Sequence, residues 1–277
     1  METPSGCTID KTKMGHKYVW MHYSADPEKD PAKNPAWLTE AMEGVPKREW
    51  EREMEGVDDS YDGEPVYADY SDEWHCPIQF RTQAIPIVAQ SIYICSLDCG
   101  MTLVPAATLL QITPSLQVHA MLEIVSQGGE PMETFAPRVL REVQKRLPGS
   151  WDEVQYCGDA TVKQRAGTDG KTAQDVARRF GMRIKPISNE WQGRFSAVTW
   201  LLKDTIDENT MRFLIDGKNC PTLRQGFKGA YRYETLSRGD VSGPGRILAM
   251  PLKNSFSHIH DALQAGAIVA RKHIQGR

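Results

Sequence analysis

A chain of 277 residues with 40% hydrophobic and 25% charged side chains has the composition of an ordinary soluble globular protein, long enough for one large domain or two smaller ones. No apolar run approaches the length of a membrane span, and "METPSGCTIDKTK" lacks the apolar core of a secretory signal. Six cysteines without a C-x-x-C pair argue against a disulfide framework and against zinc, and fit reduced thiols in a cytosol.

The net charge of −3 hides an asymmetry. Residues 26–73 carry 16 Asp/Glu against 5 Lys/Arg, a balance of −11; residues 1–25 add +1, and +7 remains for residues 74–277. An acidic leader before a basic body fits a body that meets a polyanion, and equally a solvated linker before a mildly basic domain.

In chain order, "HKYVWMHY" (16–23) reads as a short strand with no partner of its own, the edge of a larger sheet. Residues 24–73 are rich in Pro, Gly and acids, with helical character only in "KREWEREME". The expected layout is therefore a leader or interdomain linker over 1–73 and a folded domain over 74–277. Strand-like runs follow at 91–97, 103–111 and 117–125. In the third, Val118, Ala120, Leu122 and Ile124 alternate with His119, Met121 and Glu123, the period of a half-buried strand. The short connections favour antiparallel pairing of all three.

Helices then enter. Phe135, Val139, Val143 and Leu147 form one apolar stripe, with Pro137 expected in the first turn. "DEVQYCGD" is a strand ending on Gly158–Asp159. Thr172 with Asp175 reads as a capping box, and Gly181 closes that helix. "MRIKPI" is a short strand, and Asn189 is expected to cap a helix whose Trp191, Phe195, Val198 and Leu202 are core rather than a base-stacking platform. "MRFLID" turns at Asp216–Gly217, "NCPTLRQGF" is a short helix, and "SHIHDALQAGAIVARKHI" is an amphipathic helix opened by Ser255 or Ser257. Three antiparallel strands followed by strand–helix alternation is the order of a mixed-sheet α/β domain, whose ligands gather at strand carboxyl ends.

Two carboxylates, Asp98 in "SIYICSLDCG" and Asp159, stand at such ends, each beside a glycine. Singly, a strand-end Asp is most often a turn or cap residue, and Asp261 near a helix N-terminus is stabilised by the helix dipole. Together, three carboxylates from two strand ends and one helix can converge on hard divalent cations, which prefer oxygen ligands; without a cation they repel one another.

The segments "SLDCGMTLVPAATLLQ", "YCGDATVKQRAGTDGKTAQDVARRFG", "IDGKNCPTLRQGFKGAYRY" and "PLKNSFSHIHDAL" resemble the nuclease half of the large terminase subunit of tailed bacteriophages, in order over about residues 80–275. The leader "YVWMHYSADPEKDP" resembles that family's interdomain connection. The resemblance implies an RNase H-like fold and a double-stranded DNA endonuclease with two divalent metal ions, Mg²⁺ or Mn²⁺. By position its three acids fall on Asp98, Asp159 and Asp261, with Asp98 bridging the metals and the other two holding one each. His258 lies one helical turn before Asp261, matching the family's His-x-x-Asp-Ala-Leu pattern, and is expected to orient ligand or phosphate.

Two departures stand out. Ala160–Thr161 replaces the family's usual Pro-Ala and is expected to loosen the turn that holds Asp159. No G-x-x-x-x-G-K-[ST] occurs, so no ATP hydrolysis is expected of this chain. The packaging ATPase domain would then be a separate piece or a separate gene product. Glu123 is a candidate supporting acid in the same cleft. Lys163, Arg165, Arg194, Arg232 and Lys253 are candidates for touching DNA phosphates, although loop cations are mostly just solvated. The resemblance also implies the portal protein and the small terminase subunit as partners, with action in the host cytoplasm during virus assembly. A resolvase-type nuclease on branched DNA would use the same acids. A non-catalytic module docking on portal or ATPase would not need them intact.

Overall fold

The structure, a computed structural model, describes residues 6–11, 17–43, 64–99, 104–126, 128–164, 170–233 and 250–276. Two compact units, Met1–Tyr61 and Asp62–Arg277, divide the chain. In the first, β1 (Cys7–Lys11) and β2 (Lys17–Met21) pair antiparallel, with Cys7 opposite Met21 and Lys11 opposite Lys17. The strand read in "HKYVWMHY" thus has a partner after all. In "CTIDK" only Cys7 and Ile9 alternate with the polar Thr8 and Asp10, too short a pattern to mark a strand by itself. The helix α1 (Pro35–Met42) begins at Asn34, whose side chain accepts from the Trp37 backbone N–H at 3.3 Å. The stretch "KREWEREME" lies outside the described residues.

The second unit opens with residues that are acidic in sequence yet packed in place. Val66 N–H donates to the Tyr231 carbonyl at 3.1 Å, Val66 and Tyr67 are buried, and Pro65 bridges Arg232. Two single-turn helices, α2 (Asp72–His75) and α3 (Gln79–Thr82), lead into β3 (Ile92–Asp98), β4 (Ala106–Ile112) and β5 (Val118–Val125). Then come α4 (Met132–Arg146), β6 (Gln155–Gly158), α5 (Ala173–Arg179), β7 (Lys185–Pro186) and α6 (Trp191–Lys203). A small hairpin, β8 (Thr205–Asp207) and β9 (Thr210–Met211), precedes β10 (Phe213–Ile215), α7 (Pro221–Gln225) and α8 (Ser257–Gln275).

Six strands form one mixed sheet in the order β10–β5–β4–β3–β6–β7. The pairs β3–β4 and β4–β5 are antiparallel, as the short connections required, whereas β6 and β7 continue parallel to β3, and β10 lies parallel to β5. Both faces are covered. On one, Ile94, Leu110 and Ala120 pack with Val198, Leu201 and Leu202 of α6 and with Leu263, Ala267 and Ala270 of α8. On the other, Cys95, Leu97, Leu109 and Met121 pack with Phe135, Val139 and Val143 of α4 and Ala177 of α5. For this reason His119 and Met121 are buried like their neighbours, and β5 is not the half-buried strand its alternation implied.

Two helix starts also differ from expectation. Because the Pro131 carbonyl already accepts from Thr134 and Phe135, α4 begins at Met132 and Pro137 falls in its second turn. Asn189 does not cap α6; Glu190 precedes the helix, and the Asn189 carboxamide oxygen instead accepts from Arg194 Nη1 at 3.1 Å. The capping box at Thr172 and Asp175 is present, and Gly181 carries the positive φ of 83° that ends α5.

Candidate active site

Strand parity brings the acids together. Along β3, Ile94, Ser96 and Asp98 face α8, while Tyr93, Cys95 and Leu97 face α4. Along β6, Cys157 faces α8, and Asp159, two residues later, follows it. The two strands are parallel neighbours with Leu97 opposite Gly158, so Asp98 and Asp159 emerge side by side at their carboxyl ends. Gly158 is needed there, since a Cβ would stand 2.8 Å from both the Leu97 carbonyl oxygen and Val162 Cγ1. The helix α8 comes down onto β3 through Gly266, where a Cβ would lie 2.6 Å from Ser96 Oγ. That close approach sets Asp261 and His258, on the turns before it, over the strand ends.

The three carboxylates are 6%, 7% and 5% exposed at Asp98, Asp159 and Asp261. Each has a partner. His258 Nδ1 is 2.8 Å from Asp98 Oδ2. Arg194, from α6, donates through Nη2 to Asp261 Oδ1 at 3.0 Å and reaches Asp159 Oδ2 at 4.0 Å through Nη1. Lys253 Nζ closes on the other oxygen of Asp261. Asp159 Oδ1 accepts from the Thr161 backbone N–H at 3.1 Å and from its hydroxyl. Thr161 therefore ties the second acid down; the departure from Pro-Ala does not loosen this turn.

Burial pushes the Asp159 carboxyl up, and the Asp98 charge adds to the rise against the Thr161 and Arg194 contacts. Burial also raises Asp261, opposed by Lys253 and Arg194 and assisted by Asp98. The hydrogen bond to Asp98 raises His258 above the ordinary imidazole range, against its own partial burial. Three like charges thus sense one another and are balanced by side-chain cations.

Among the described residues, no group of three or more His, Cys, Asp or Glu side chains is arranged as a metal centre. The donor chemistry nevertheless suits a hard cation: buried carboxylate oxygens whose ionisation burial and mutual repulsion oppose. Arg194, Lys253 and Thr161 hold the oxygens of Asp159 and Asp261.

The other residues singled out in the sequence are dispersed. Glu123 gives its oxygens to the backbone N–H groups of Thr222 at 2.8 Å and Leu223 at 2.7 Å, so it anchors the first turn of α7 rather than supporting the acids. Lys163 is exposed at the end of the single turn Ala160–Lys163, beside Asp159. Arg232 lies in the bridge to Pro65. Arg165 lies outside the described residues. Arg194 is not a surface cation for phosphates: it is 6% exposed and spent on the acids. Its pairing was missed because an arginine inside the apolar stripe of α6 carries no local mark of its partner, 67 residues away.

No protein-family model and no curated protein matches the sequence. Solved structures do match the fold. The large terminase of a thermophilic bacteriophage superposes with a TM-score of 0.53 at 11% identity, covering 87% of this chain and 54% of that one. The P22 large terminase nuclease domain superposes with a TM-score of 0.50 at 12% identity, covering 75% of this chain and 92% of that one. This is the large-terminase nuclease fold. The chain spans about half the length of the thermophilic phage terminase, and the P22 nuclease domain is matched over nearly all of its own length. In this chain Asp98 and Asp159 stand at the carboxyl ends of β3 and β6, and Asp261 lies on α8. No helix among the described residues is long and apolar enough to cross a membrane.

Proposed function

We propose that the chain is the DNA endonuclease of a viral genome-packaging terminase, hydrolysing phosphodiester bonds of concatemeric double-stranded DNA with divalent cations and little base specificity. One observation carries this reading: three buried, mutually repelling carboxylates converge at the strand ends of a terminase-nuclease fold. Structural acids are rarely assembled in threes against their own repulsion.

Asp98, Asp159 and Asp261 would hold the metal, Mg²⁺ or Mn²⁺, and the terminase resemblance implies two ions. Such ions supply positive charge to the scissile phosphate, an activated water and stabilisation of the leaving 3′-oxygen. The protein's own part is positioning. His258 fixes the orientation of the Asp98 carboxylate through their 2.8 Å contact. Thr161 does the same for Asp159. Lys253, whose side chain is 64% exposed, has reach enough to leave Asp261 for a DNA phosphate, and Lys163 lies close by for the same use. The +7 balance of residues 74–277 supports backbone contacts, and hence binding that weakens as salt rises. A packaging ATPase domain, the portal protein and the small terminase subunit are the partners this role requires, in the host cytoplasm during assembly.

Supercoiled-plasmid nicking tests the reading. Relaxed and linear products are expected with Mn²⁺ or Mg²⁺ and none with excess chelator. Absence of cleavage under every divalent ion, by protein that melts cooperatively, would contradict it.

A further inference from the structure

The cations around the acids are of two kinds. Lys253 reaches Asp261 from a loop on a flexible stem, with its side chain 64% exposed. Arg194 rises from a helix whose neighbouring Ala197 and Val198 are fully packed, and its own side chain is only 7% exposed. Its guanidinium spans two of the three acids, 3.0 Å from Asp261 and 4.0 Å from Asp159, and Asn189 grips Nη1 from behind at 3.1 Å. Its Nε has no partner, so the group is held by the acids and Asn189 alone. Withdrawing it would leave a buried guanidinium unpaired, which is strongly unfavourable, whereas withdrawing Lys253 returns an ammonium to water.

We infer that Arg194 is the fixed cation of this site: the three carboxylates take a single divalent ion, in exchange for the Lys253 ammonium, while the guanidinium stays on Asp261 Oδ1 and beside Asp159 Oδ2 and withholds those oxygens from a second ion. The inference rests on the metal-dependent reading above and narrows it. It accounts for three crowded acids carrying one nearly buried arginine.

Titrating the full chain with Mn²⁺ and following bound and free ion by electron paramagnetic resonance tests it, because the count needs no turnover. One tightly bound Mn²⁺ per wild-type chain, with the spectrum of an isolated ion, is expected. Arg194→Gln, used only if it retains a cooperative melt, is expected to bind two, with the broadening of a coupled pair. Two tight ions in the wild-type chain, or a single ion in folded Arg194→Gln, would overturn the inference and leave the metal-dependent reading standing. No tight Mn²⁺ in the wild-type chain would overturn both.

Discussion

Buried acids gather at two places along the edge of the same sheet, Asp216 alone at one and Asp98, Asp159 and Asp261 at the other, and they are held in opposite ways. Asp216, after β10, is fully buried. Its oxygens accept from the Ile85 N–H at 2.8 Å and from the Asn219 N–H and side-chain amide at 2.9 Å each, with Arg146 at 3.8 Å. Its nearest donors belong to the chain's own turns and approach a single charge. Asp98, Asp159 and Asp261 instead crowd three charges together, and their partners are largely long side chains: Arg194, Lys253 and His258. A carboxylate fastened by backbone N–H groups locks the fold. Carboxylates that crowd together and borrow cations from side chains are poised to exchange those cations for something else.

The largest expected effect separates the two sets by activity. Asp98→Asn and Asp159→Asn should each slow plasmid nicking by at least about a hundredfold, as loss of charge stabilisation in a transition state does. The melting temperature without metal should hold or rise, because one of three repelling charges is gone. Asp261→Asn should lose as much activity but melt lower, since Arg194 then keeps only the neutral Asn189 and its distant contact with Asp159. A nicking rate within a few-fold of wild type for any of the three would remove that acid from the site.

At Asp216 the effect should appear in stability. Asp216→Ala strands the buried Ile85 N–H and leaves the Arg146 charge without its carboxylate, and should cost about 3–5 kcal/mol in urea unfolding. Nicking per folded molecule should be unchanged.

A smaller effect is expected on the acid side of the stability profile. Burial pushes His119 down to about 4 and His260 down to about 3, from the ordinary value of 6.5. The folded state keeps both neutral, while the unfolded chain takes up protons below about 6.5, so their share of stability is complete above that pH and drains as pH falls toward 4. His119→Gln, which can retain bonding to Gln111 and Gln117, should flatten that acid limb in melts recorded from neutral pH downward. An unchanged slope would show that His119 is not held neutral.

The smallest effect belongs to Glu123. Replacing it with Ala removes both acceptors from the first turn of α7 and should cost about 1 kcal/mol, the scale of a lost helix cap. Metal-dependent nicking should be unaltered. A hundredfold loss would return Glu123 to the site.

Each acid alone reads in the sequence as a turn, cap or helix-start residue, and the terminase resemblance is what joins Asp98, Asp159 and Asp261 as one candidate set; the faces they occupy follow from local pattern. A strand of period two that ends in Asp–Cys–Gly or Gly–Asp places its acid on a known face, and a His three residues before an Asp shares that Asp's helix face. Much of the sheet was readable for the same reason. What escaped was tertiary. Glu123 reaches a helix 99 residues further on, and Arg194 meets its acid 67 residues away. Polar β1 pairs only because β2 lies beside it. Asn189 resembles a cap by composition but is recruited by the arginine one turn later. In each case a side chain answers a partner that spacing along the chain does not reveal.

The most direct test of the division between the two sets is supercoiled-plasmid nicking in Mn²⁺ by Asp159→Asn beside Asp216→Asn, matched for folded fraction by their melts. Asp159→Asn should be folded and inactive, while folded Asp216→Asn should nick at the wild-type rate. Equal activity in the two variants, or nicking by Asp159→Asn at the wild-type rate, would contradict the account.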